Sequence, residues 1–153
     1  MRVIEPWVEG PLRAFLNESA ARLTLLMTAS GQVVAQHGFT RSLDVMAAAA
    51  LGAGILASTF EIARLMDSPP LDEVAHEGTR LGFYLAGFDT PRGRWVGLVV
   101  FGPETSLGLV QLFFGRLAAD LALAAPAAEP PGQVLAENFE GELNASLRAL
   151  FGR

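Results

Sequence analysis

Apolar positions along this chain switch between helical spacing and short strand-like runs, and each switch marks an element. Leu12, Phe15, Leu16 and then Ser19 or Ala20 recur at helical spacing, with Pro11 suited to a first turn, so a helix is predicted over 11–21. Arg22 to Ala29 is a strand-like apolar run. Ser30-Gly31-Gln32 is turn chemistry ahead of a second run, Val33 to Phe39, and the two predict a hairpin. A side-chain cap at Ser42 and a first-turn carboxylate at Asp44 open a long helix that Asp67-Ser68-Pro69-Pro70 stops. Three strand candidates follow: Leu71 to Glu77, Leu81 to Phe88 and Trp95 to Phe101. Their short spacers, Gly78-Thr79 and 89–93, argue for an antiparallel meander. Leu107, Val110, Phe114, Leu117 and Leu121 then form one stripe of a closing helix.

The chain divides accordingly into a globular domain over 1–123, a Pro/Ala-rich linker over 124–133 and an amphipathic C-terminal helix over 134–153. The segment from Ala124 to Gly132 carries three prolines and little to bury, so it reads as a semi-rigid spacer. Leu135, Phe139, Leu143, Leu147 and Leu150 share one face of the final helix, which therefore needs a surface to lie against.

At 100° per residue, the central helix carries Leu51, Ile55, Ile62, Leu65 and Met66 on one arc and Val45, Leu56 and Phe60 on another. The remaining arc is a strip of small residues, Ala47, Ala50, Ala53, Gly54 and Ala57, ending in Glu61 and Arg64. A helix on one sheet face needs an apolar stripe little wider than 100°, so this one has at least two partners. The surplus bulk suits a symmetry mate, because two-fold homodimers pair a patch with itself. The small strip then stays open to the close approach of another backbone. Helix propensity alone also favours alanine, which is the bland account of the strip.

Composition removes several kinds of chemistry. With no cysteine there are no disulfides, thiolate sites or thiol nucleophiles, which fits a reducing compartment. All 11 basic residues are arginine, so there is neither a P-loop lysine nor a Schiff-base lysine. The formal net charge of −5 and the scattered arginines leave no footprint for nucleic acid or an anionic membrane. The first ten residues lack the basic start and apolar core of a secretory signal, so a cytoplasmic location is expected. The uncharged run from Val45 to Phe60 is too short to span a bilayer, and no membrane insertion is expected.

Two sets of residues imitate chemical sites. Gly52-Ala53-Gly54-Ile55-Leu56-Ala57 matches the dinucleotide fingerprint, with Asp72 at the distance of a ribose carboxylate. The motif needs a strand before it, however, and the preceding residues already read as helix. His37 and His76 each sit among apolar strand residues with no acid at ligand spacing, so they read as structural or interface histidines. No catalytic, cofactor or metal residue is assigned.

The order of elements and the helix LDVMAAAALGAGILASTFEIARLM resemble the Roadblock (dynein light chain) family, as do HEGTRLGFYLAGF and WVGLVVFGPETSLGLVQLFF. The proline linker and the final ENFEGELNASLRALF are similar to its bacterial gliding-motility branch. The resemblance covers nearly the whole chain, through patterns of apolar and small residues without a chemical signature. It implies an α+β fold: a five-stranded antiparallel sheet sandwiched between a long central helix and two other helices, plus the C-terminal helix.

It also implies a homodimer joined through the central helices and the strand at 71–77, with Leu51, Ile55, Ile62, Val74 and His76 in the interface. In that branch the dimer regulates a Ras-like small GTPase by remodelling the partner's catalytic loop, without an inserted arginine finger, and has a part in cell polarity and motility. Ala53 and Ala57 match small contact positions of the family. The contact strip here is accordingly Ala50, Ala53, Gly54, Ala57, Glu61 and Arg64. Phe139, Leu143, Leu147 and Phe151 of the final helix are implied in engaging the GTPase. Ile55 and Leu56 depart from the branch's more Ala-rich and polar pattern, which keeps open a scaffold or polarity adaptor that binds without stimulating turnover. Recruitment to a cell pole goes with either role.

Overall fold

The computed structural model describes residues 1–38, 44–69, 72–126, 143–146 and 148–150. Within them the elements run β1 (Arg2–Val3), α1 (Pro6–Ser19), β2 (Leu23–Thr28), β3 (Val33–Gly38), α2 (Val45–Leu65), β4 (Glu73–Glu77), β5 (Gly82–Thr90), β6 (Gly93–Phe101) and α3 (Leu107–Ala124). Residues 143–146 and 148–150 are also helical. Every strand pairing is antiparallel, and the sheet order is β1-β3-β2-β6-β5-β4. The β2–β3 hairpin and the β4–β5–β6 meander are therefore joined where β2 pairs with β6.

Strand alternation sends successive side chains to opposite faces, and here both faces are covered. Leu26, Tyr84, Ala86, Phe88, Trp95 and Val99 point to the layer formed by α1 and α3. Leu23, Leu25, Met27, Leu85, Val96 and Leu98 point to α2. The stripe anticipated for the closing helix lies against the first layer, with Val110, Phe114, Leu117 and Leu121 buried and Leu107 partly so. By length and composition α2 and α3 could each cross a bilayer. In this fold each lies along one face of the sheet.

Four expectations need correction. The sheet has six strands, because two residues at the chain start pair as Arg2↔Gln36 and Val3↔Ala35, a span too short to show alternation. The first helix begins at Pro6, where a missing N–H costs nothing, and Pro11 is tolerated inside it. That helix ends at Ser19 because Ala20 turns left-handed at φ 55°. Asp44 caps α2 by accepting from the Ala47 N–H at 3.1 Å, so the helix opens at Val45; Ser42 lies outside the described residues.

Gly97 decides how closely α3 can approach. A Cβ there would stand 2.4 Å from the Phe114 ring, which itself meets Phe15, Tyr84 and Phe88 edge to face. Gly97→Val must push the ring away, and overpacking of this kind costs about 1–3 kcal/mol or more. A clear drop in melting temperature is expected, and an unchanged melting curve would show that α3 has slack.

Candidate functional site

The central helix meets the sheet on its small side. Ala49, Gly52, Ala53 and Ala63 are its buried residues, with Val45, Ala48 and Leu56 partly covered. A Cβ on Gly52 would sit 3.2 Å from Leu85 Cδ1 and 3.5 Å from Met27 Cε. The sheet supplies the bulk in this contact, so small residues on the helix let the backbone come close. The dinucleotide-like motif lies inside α2, preceded by helix rather than by a strand, with Gly52 and Ala53 against the sheet and Gly54, Ile55 and Ala57 exposed. Asp72 instead pairs with Arg94.

Because the small side faces inward, the large side chains face out. Leu51 is 68% exposed, Ile62 57% and Leu65 83%, with Ile55 and Met66 also uncovered. At about 1.5 Å per residue, 21 residues make α2 about 31 Å long. Beside Leu51 and Ile55 runs an apolar groove of about 330 Å³, floored by Gly52, Phe83, Leu85 and Leu98.

Phe83 on the groove floor stands opposite His76 of β4, which among the described residues pairs only with β5 and so has one free edge. Val74 of β4 is half-buried against the α2-side core, and His76 is exposed and stacked on Phe83 with ring centroids 5.4 Å apart. The strand is anchored at its start. The Gly87 N–H donates to the Asp72 carbonyl at 2.8 Å, Arg94 bridges Asp72 and Asp89, and the Tyr84 hydroxyl donates to Glu73. Burial, then the hydrogen bond to Glu73, raises the Tyr84 pKa above its ordinary value, so the phenol stays a donor.

The strip of small residues divides. Ala53 is 8% exposed and belongs to the core beneath the helix, reaching the surface only at the floor of the cleft beside Ala57. Ala50, Gly54, Ala57, Glu61 and Arg64 are exposed, and a Cβ on Gly54 would meet nothing within 4 Å. Glu61 and Arg64 pair with each other at 3.1 Å. Ala57 borders a cleft of about 180 Å³ lined by Leu56, Phe60, Asp72, Arg94 and Val96. The sequence pattern does not single out Asp72 and Arg94 as neighbours of the strip, because their meeting depends on sheet register.

His37 stands across from Thr24 in the β2–β3 ladder. Among the described residues, neither the Thr24 Oγ1 nor the His37 Nδ1 finds a hydrogen-bond partner, although both atoms are buried. Burial, followed by the positive chain start and Arg13, lowers the His37 pKa. The unfolded imidazole then takes up its proton at higher pH than the folded one. Stability from this group is complete above about pH 6.5 and is lost as pH falls toward the depressed folded value. Thermal melts from about pH 7.5 down to pH 5 should show a decline that His37→Gln flattens; parallel curves would assign the decline to other groups.

Among the described residues, no three His, Asp or Glu side chains cluster to hold a metal. Of the terminal-helix residues, Leu143 is helical and exposed; Phe139, Leu147 and Phe151 lie outside the described residues.

Among the described residues, an antiparallel sheet with α1 and α3 on one face, a long α2 on the other and a free β4 edge defines a Roadblock-type fold. No family model matches the chain, and no curated protein matches it. Among solved structures it is similar to a Roadblock/LC7 domain from Streptomyces avermitilis, at a TM-score of 0.59 and 16% identity over 70% of this chain and 88% of that one, which shows the fold.

The chain has the Roadblock fold and is similar to MglB proteins. It is similar to Myxococcus xanthus MglB at a TM-score of 0.69 and 25% identity, covering 78% of this chain and 94% of that one. It is also similar to the gliding protein MglB of Thermus thermophilus, at 0.68 and 27%, covering 82% and 96%.

Proposed function

We propose that this chain is a homodimeric regulator of a Ras-like small GTPase of the MglA type, with no chemistry of its own. The observation that carries the proposal is the outward bulk of α2: Leu51, Ile55, Ile62 and Leu65 lie bare beside the unpaired edge of β4. Pairing two copies about a two-fold axis covers both features at once, since each arc meets its own image and each edge gains a ladder. Ala50, Gly54 and Ala57 remain on the outer surface of the paired helices, where a GTPase backbone can approach, flanked by Glu61 and Arg64. Val74 and His76 join the interface from β4. The partner's own catalytic loop is remodelled against this platform, and hydrolysis accelerates. The complex works in the cytoplasm, with recruitment to a cell pole.

Mixing the protein with the cognate GTPase and following GTP turnover tests the activating role. Binding without acceleration would leave a scaffold or polarity adaptor of the same fold, and absence of binding would remove both. Gly54→Arg and Ala57→Arg reach into open surface, so each is expected to keep the melting temperature while weakening GTPase binding at least about 30-fold, a loss of about 2 kcal/mol. Titration calorimetry with the purified GTPase reads the effect, and wild-type affinity in both variants would place the contact elsewhere.

A further inference from the structure

The outer side of α3 is a second bare apolar surface, on the opposite face of the sheet from α2. Its sheet side is fully used by Val110, Phe114, Leu117 and Leu121. Facing solvent are Leu112, 60% exposed, and Leu123, 86% exposed, together with Gly108, Gly115 and Ala119. Positions 108, 112, 115 and 119 follow the alternating four-and-three spacing of a seam that receives another helix. A Cβ at Gly108 or Gly115 would meet nothing within 4 Å, so both leave room for a neighbour's side chain.

The chain carries a helix with the matching bulk. Leu143 and Leu150 are seven residues apart, hence on one face, and are 47% and 78% exposed. We propose that the C-terminal helix docks in cis, antiparallel, along the outer seam of α3. The connection over 127–142 can extend about 50 Å at roughly 3.3 Å per residue, while α3 is about 27 Å long, so the chain can double back. One register sets Leu143 over Gly115 and Leu150 over Gly108, filling both gaps. A seam this small would not hold a separate chain, but tethering raises the effective concentration to the millimolar range. Docking hides the leucine face of the tail, so any partner that uses that face must first displace it from α3.

The absence of cysteine allows a direct test on the full chain without any GTPase. Gln111→Cys with Ser146→Cys places one thiol on each side of the register, and Ala57→Cys with Ser146→Cys samples α2 instead. A short bismaleimide is expected to link the first pair within one chain and to leave the second pair unlinked. Adding Gly115→Arg, which enters open space, is expected to abolish the link without changing the melting temperature. A link to α2, links only between chains, no link in either pair, or a link that survives Gly115→Arg would each overturn the proposal.

Discussion

Ala53→Arg is expected to unfold the domain, whereas Ala57→Arg, one turn further along the same helix, leaves it intact. Ala53 is 8% exposed and packs in the cluster with Met27, Leu85, Val96 and Leu98, and the one carboxylate of the cleft it borders, Asp72, is already paired with Arg94. An unpaired buried charge costs several kcal/mol after relaxation, and inserting a long side chain where Gly52 already brings helix and sheet close adds overpacking. A domain of this size has about 5–15 kcal/mol in all, so one such change removes most of it. Circular dichroism and thermal melting of the two variants read the contrast directly. Cooperative melting near the wild-type temperature for Ala53→Arg would mean that α2 can lift away from the sheet, and Ala53 would return to the set of partner contacts.

The second large effect concerns self-association. Leu51→Glu combined with Ile62→Glu is expected to turn the proposed dimer into a folded monomer. Both residues are more than half exposed in the single chain and absent from its core, so the domain has little to lose. In a two-fold pair, each carboxylate would be pressed into an apolar surface made of its own image. Central interface residues commonly cost about 2 kcal/mol or more when lost, and four buried carboxylates exceed that by a wide margin. Sedimentation velocity at micromolar concentration decides between outcomes. A variant that still sediments as a dimer would show that the arc is not the contact, leaving the β4 edge as the alternative.

The two predictions turn on the same feature, the rotation of α2 about its own axis. Sheet-facing small residues and outward-facing large ones are the reverse of the usual distribution for a surface helix, in which the apolar stripe faces the core. The inversion is consistent because the sheet brings its own bulk to the contact, with Leu85 and Met27 filling the space above Gly52. It leaves a lone chain with a large bare surface, which soluble monomers rarely carry.

Much of this arrangement is legible before folding. The apolar runs of β2, β5 and β6 and the stripe of α3 need only the pattern of apolar positions, and the element order follows from turn residues between them. The three arcs of α2 are also legible, as is its excess of apolar girth. Periodicity cannot say which arc touches the sheet, because a helical wheel fixes angles between residues but not the direction of the core. That direction depends on depth of approach, set by Gly52 and Ala53 against side chains far away in sequence on other strands, among them Met27, Leu85 and Val96. The pattern misplaces Ala53 for this reason, while Ala50, Gly54 and Ala57 fall on the exposed side.

Long-range register settled the remainder. β1 exists because Arg2 and Val3 find the free edge of β3, and two residues carry no period to detect. Arg94 meets Asp72 and Asp89 only because β4, β5 and β6 align as they do, which brings a polar cluster to the cleft beside Ala57. The sequence by itself determined the elements other than β1, the absence of thiol and lysine chemistry and a central helix with more apolar surface than one sheet can cover. Only the tertiary structure decided which side of that helix is spent on the core and which is left for partners, because that choice rests on steric fit between residues far apart in the chain.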